Sequence, residues 1–143
     1  MAKQFTLGKI ERLKSRKAIE KLFREGKSIS VVPFRTLYLM NPLPPHHQEF
    51  PIQFGVGVSA KTFKNAVDRN KIKRLTREAY RLQKKDSAVV ALYDKLEMNN
   101  KQLNLFFIYT AKELADFNTV KEKVELILNK LIKIIDENNS SNP

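Results

Sequence analysis

The run Leu103-Asn-Leu-Phe-Phe-Ile-Tyr109 most limits what this chain can become. It is apolar and rich in β-forming residues, so it reads as a buried central strand covered on both faces. Ile52–Ser59 alternates instead: Ile52, Phe54, Val56 and Val58 share one face, and Gln53, Gly55, Gly57 and Ser59 the other. Two glycines on one strand face leave room for a helix or a ligand to approach the backbone. Phe34–Met40 carries apolar residues on both faces and is predicted to lie inside a sheet. The prolines of 41–51 make that segment a loop between two strands.

Helical patterns surround these strands. Arg16–Glu25 has Ser15 to cap it, Gly26 to end it, and Ile19, Leu22 and Phe23 on one face. Ala66–Lys84 and Ser87–Met98 follow, the latter with Val89, Val90, Leu92, Tyr93 and Leu96 apolar. A capping box, Thr119-Val-Lys-Glu122, opens the last helix. Its stripe is Val120, Val124, Ile127, Leu128, Leu131, Ile134 and Ile135. The expected order is α-β-β-α-(α)-β-α, with a βαβ unit in the middle. The class is α+β, a two-layer sandwich of helices on a small mixed sheet. Residues 1–143 make one domain, with a basic arm over 1–12 and a frayed tail over 138–143.

Charge narrows the function. Twenty-seven basic residues against 15 acidic ones leave a net charge of +12. Such an excess implies an acidic partner: nucleic acid, an anionic membrane surface or an acidic protein. The chain has no cysteine, which excludes disulfides and thiolate metal sites and fits a reducing compartment. Its first residues do not read as a signal peptide, and no apolar run reaches membrane-span length. The expectation is a cytoplasmic protein with no membrane association and no obligate protein partner.

The cations concentrate in Asn65–Arg81, NAVDRNKIKRLTREAYR. With Arg69 at zero on a helical wheel, Lys73, Arg77, Asn70, Arg81 and Arg74 fall at about 40°, 80°, 100°, 120° and 140°. Ile72, Leu75, Ala79 and Leu82 fall between about 220° and 300°. An apolar stripe therefore faces the sheet, opposite a cationic arc. A solvated helix face usually interleaves signs, because like charges four residues apart repel. Here Arg69–Lys73, Lys73–Arg77 and Arg77–Arg81 are like pairs at that spacing. Binding a polyanion accounts for the arc, and structure alone does not. Arginine forks suit phosphate oxygens, and Asn70 has the groups to bond a base edge, a ribose hydroxyl or the local backbone.

Other candidate sites are weak. His46-His47 lacks further metal ligands and reads as a loop pair. Gly55-x-Gly57 lacks the third glycine of a dinucleotide loop. No Ser/His/Asp set has supporting context, and no acidic cluster suits protein-held magnesium. Phe23, Phe34 and Tyr38 are at helix or strand spacing and read either as core or as stacking platforms for bases.

The pattern Lys61-x-Phe63-Lys64-x-Ala66-Val67-x-Arg69-Asn70-x-x-Lys73-Arg74-x-x-Arg77-Glu78-Ala79 resembles the signature of the bacterial ribonuclease P protein subunit. Lys71 stands at the third position of that family's Arg-Asn-Arg motif. Upstream, Arg12-Leu-Lys14, a short helix ending Phe23-x-x-Gly26, and a strand with Phe34 look like the family's N-terminal half. The resemblance is strong over about residues 12–83 and continues as element order alone. It implies a left-handed βαβ crossover, docking of the basic helix on a catalytic RNA, and a separate cleft for the 5′ leader of precursor tRNA. It also implies that the RNA performs the hydrolysis with magnesium held in the RNA-containing holoenzyme. By position, Lys61, Lys64, Arg69, Asn70, Lys73, Arg74, Arg77 and Arg81 take the RNA-binding role. Arg12, Lys14, Phe23, Phe34 and Tyr38 take the leader cleft. Ile19 and Leu37 stand where aromatic residues are common in the family. The alternative reading is a non-catalytic RNA-binding ribosomal or assembly protein. A membrane-surface binder is disfavoured, because the basic helix commits its apolar stripe to the core.

Overall fold

The computed structural model describes residues 12–13, 15–42 and 51–140. Lys14, most of the N-terminal arm, the His46-His47 pair and the last three residues lie outside them. In chain order the elements are α1 (Arg16–Glu25), β1 (Lys27–Val31), β2 (Phe34–Pro42), β3 (Ile52–Val58), α2 (Ala66–Gln83), α3 (Ser87–Met98), β4 (Lys101–Tyr109) and α4 (Phe117–Ser140). The strands form a mixed sheet in the order β1-β2-β4-β3. β2 pairs antiparallel with β1 and with β4, and β3 runs parallel to β4. The interior strands are thus β2 and β4, as their two-sided apolar character requires.

Strand β1 is absent from the sequence reading. Its five residues, KSISV, supply only Ile29 and Val31 to a core, too few to stand out as a pattern. Pairing with β2, from Lys27 opposite Tyr38 to Val31 opposite Phe34, is what makes it a strand. Helix α4 also begins earlier than its capping box suggests. Asp116 accepts from the Thr119 amide at 2.8 Å, so Asp116 rather than Thr119 caps the helix. These bonds from Thr119 hold the Asp116 carboxyl below its ordinary pKa. At the other end the helix continues to Ser140, through the first part of the expected frayed tail.

The two sheet faces differ. Leu103, Leu105, Phe107 and Tyr109 of β4, with Ile52, Phe54 and Val56 of β3 and Phe34 of β2, enter one large core. Helix α2 adds Ile72, Ala79 and Tyr80 to it, α3 adds Val89, Leu92 and Leu96, and α4 adds Val120, Val124, Ile127, Leu128, Leu131 and Ile135. Phe54 and Tyr80 stack at 4.2 Å and 10°, which locks α2 onto β3. Among the described residues, α1 is the one helix on the opposite face, held by a small cluster of Leu13, Leu22 and Leu37. Gly26 ends α1 where a side chain would collide with the Leu22 carbonyl oxygen, at 2.4 Å. None of the helices among the described residues is long and apolar enough to cross a membrane.

Candidate nucleic-acid interface

Strand β3 leads through Lys61 and Lys64, both exposed, into α2. Asn65 caps that helix by accepting from the Val67 amide at 3.0 Å, and Asp68 complements the dipole in the first turn. The buried residues of α2 are Ile72, Thr76, Ala79, Tyr80 and Gln83. On the wheel they centre at about 320°, against about 260° for the apolar residues alone. The helix is therefore rolled relative to the sequence expectation. Thr76 tolerates burial because its hydroxyl donates to the Ile72 carbonyl at 2.8 Å.

That roll sorts the expected cationic arc. Asn70, Lys71, Arg74 and Arg77 are exposed, and Lys73 is half-buried. Arg69 is turned back onto the segment between β3 and α2, and its Nη1 donates to the carbonyls of Phe63 and Lys64 at 2.6 and 2.9 Å. Its guanidinium is thereby engaged in fastening the β3–α2 turn. Arg81 is paired with Glu78, one turn earlier. Their hydrogen bond lowers the Glu78 pKa and raises that of Arg81. The exposed core of the arc is thus Asn70, Lys71, Arg74 and Arg77.

Arg12 joins this surface to the other side of the sheet. Its backbone bridges to Phe54 on the outer edge of β3, and the next amide, of Leu13, donates to the Phe54 carbonyl at 2.9 Å. Shielding by neighbouring atoms and then the Arg12 charge lower the pKa of Arg77. Two cations thus meet at this edge.

Beyond it lies a cleft between α1 and the sheet. Phe23 is 54% exposed and meets Phe106 edge-on, with ring centroids 5.4 Å apart. Phe106 covers the two glycines of β3: a Cβ on Gly55 or Gly57 would lie 2.8 Å from its ring. The glycines therefore admit an aromatic ring from the neighbouring strand, where the sequence suggested a helix or a ligand. Ile19, Leu37, Leu39 and Ile108 pack around it. An open depression of about 680 Å³ follows the same face of α1, lined by Arg16, Ile19, Glu20, Phe23 and Arg24.

Two expected cleft residues belong elsewhere. Phe34 is 1% exposed and contacts Phe107 and Tyr109 edge-on in the large core. Tyr38 packs against that same core. The cause is strand periodicity: positions 34, 36, 38 and 40 share one face of β2, and the cleft receives 37 and 39 instead. Phe106 and Ile108 are cleft residues the sequence reading missed. The signal available for them was Asn104, whose polarity marks residues 104, 106 and 108 as the face away from the large core.

Among the described residues no three His, Asp or Glu side chains gather to hold a metal ion. The arrangement offers phosphate contacts on α2 and base stacking in the cleft.

The family model described as Ribonuclease P matches residues 7–132. A ribonuclease P protein component of Porphyromonas gingivalis is 37% identical over 121 residues, covering 85% of this chain and 82% of its own length. One from Thermotoga maritima is 32% identical over 131 residues, or 92% and 98% of the two chains. The solved RNase P protein of Thermotoga maritima superposes with a TM-score of 0.60 at 29% identity, covering 84% of this chain and 96% of that one. The Staphylococcus aureus protein, at 21% identity, shares the fold with a TM-score of 0.60.

Proposed function

This chain belongs to the ribonuclease P protein family, and from that premise we propose how its two surfaces divide the work of tRNA processing. The protein is a subunit of an endoribonuclease. The exposed face of α2, with Asn70, Lys71, Arg74 and Arg77 flanked by Lys61, Lys64 and Lys73, docks on the catalytic RNA. The cleft of Phe23 and Phe106 receives the single-stranded 5′ leader of precursor tRNA. Arg12 carries the phosphate path from one to the other. The phosphodiester is hydrolysed on the RNA, with magnesium bound there, and the protein contributes binding and orientation.

The observation that supports this most is the continuity of the two surfaces. A cationic helix face and an exposed aromatic cleft meet at the β3 edge, where Arg12 and Arg77 lie together. Reconstitution with the cognate RNA at low magnesium tests it. Addition of the protein is expected to raise precursor-tRNA cleavage. Equal cleavage with and without protein would sink the proposal.

A further inference from the structure

The cationic excess is uneven, and one end of the molecule does not share it. Helices α1 and α2 carry four cations against two acids and six against two. Helix α4 is balanced at four and four, and α3 is net acidic, with Asp94 and Glu97 against Lys95. Lys95 is itself paired with Asp136 of α4. Val89, Leu92 and Leu96 turn α3 into the large core, so Val90, Ala91, Asp94, Glu97 and Met98 face outward. Met98 is 83% exposed. Near the same end of α3 lies a depression of about 160 Å³, between α3, α4 and the ends of β2 and β4. Met40, Leu96 and Ile135 form its apolar wall, and Lys95, Asn99 and Lys101 its polar one. A single exposed methionine is ordinary on a protein surface. Here it stands near an apolar-walled hole of side-chain size, on the one net-acidic helix of a chain of charge +12.

Asp94 and Glu97 repel phosphates, so the polyanion that suits α2 does not suit this face. A second copy of the chain does. Across their α2 faces two copies would meet cation to cation. At the α3–α4 end both signs stand on one patch, so acids of one copy can oppose lysines of the other. We propose that two copies associate through this end about a two-fold axis, the Met98 side chain of each filling the other's depression. Such a contact is isologous and closes at two. It leaves the outward face of α2 and the α1 cleft uncovered, so it stands independently of the function proposed above.

Sedimentation of the full chain, free of RNA, over a concentration series tests this. The wild type is expected to pass from monomer to dimer with a Kd on the order of 100 µM, as a small interface gives. Met98→Ser should weaken the dimer about tenfold, and Met98→Leu should retain it. Leu126→Asp, on the outer face of α4, should leave it unchanged. Dilute Met98→Ser protein should melt with the wild type, because the side chain it shortens is exposed. The methyl resonances of Met40 and Met98 should both shift as the wild type is concentrated. A chain that stays monomeric up to about 1 mM overturns the inference and leaves the surface to a different partner. So does a dimer that Met98→Ser does not weaken, or that Leu126→Asp weakens as much, because the contact then lies elsewhere.

Discussion

The guanidinium of Arg69 donates to two backbone carbonyls, while that of Arg74, five residues on, is exposed. The two arginines should therefore respond differently to removal. Arg74→Ala is expected to leave the melting temperature unchanged, weaken RNA binding, and flatten its salt dependence by about one unit of slope. Arg69→Ala should instead cost about 1–3 kcal/mol of stability, as two turn carbonyls lose a charged donor. Loss of salt slope in Arg69→Ala without destabilisation would return Arg69 to the docking face. Arg81 is held by Glu78, whose depressed pKa keeps the pair intact through the ordinary carboxylate range. The small stabilisation from that pair is lost only as pH falls through the depressed value. Glu78→Gln should loosen the hold on Arg81 at neutral pH and steepen the salt dependence. The wheel could not show these distinctions. It located the buried stripe from Ile72, Leu75, Ala79 and Leu82, but Thr76, Tyr80 and Gln83 are buried too and roll the helix.

At the level of elements, patterns that carry their own cause were legible and those set by a neighbour were not. Ser15 and Gly26 bound α1 as the sequence suggests, and Asn65 and Asp86 cap α2 and α3 locally. Strand β1 exists through its partner, so its own residues say little. The face assignment of β2 also depends on register, and a one-residue change of parity moved Phe34 and Tyr38 from cleft to core. Gly55 and Gly57 were visible as a gap, but its occupant, Phe106, comes from 50 residues downstream. Gly57→Val tests that fit. The added Cβ starts 2.8 Å from the Phe106 ring, so the ring must move. The expected cost is about 1–3 kcal/mol of overpacking, with loss of the Phe23–Phe106 contact and of leader-dependent binding. Unaltered stability, with Phe106 chemical shifts in place, would show that the ring is not wedged there.

The molecule as a whole assigns its sheet faces unequal shares of packing. Three helices and most large side chains occupy one side, and α2, packed on β3, carries six cations against two acids, a concentrated share of the chain's net charge of +12. Composition alone pointed to an acidic partner, and the helical wheel to a polyanion; only the fold places the cationic helix next to an aromatic cleft. The lone helix on the second side has a dynamic consequence. Helix α1 has one fully buried residue, Leu22, and is held by a small cluster, whereas α4 buries six apolar residues along its length. Its amides should therefore exchange with solvent through a local detachment far cheaper than global unfolding. Occupancy of the space beneath it would hold α1 closed and slow that exchange in proportion to ligand saturation. Mass-resolved exchange of residues 16–25, with and without a bound leader oligonucleotide, should show this slowing there and little change in α4. The wall of the cleft would then act as a reporter, its opening rate reading out whether the substrate strand is in place.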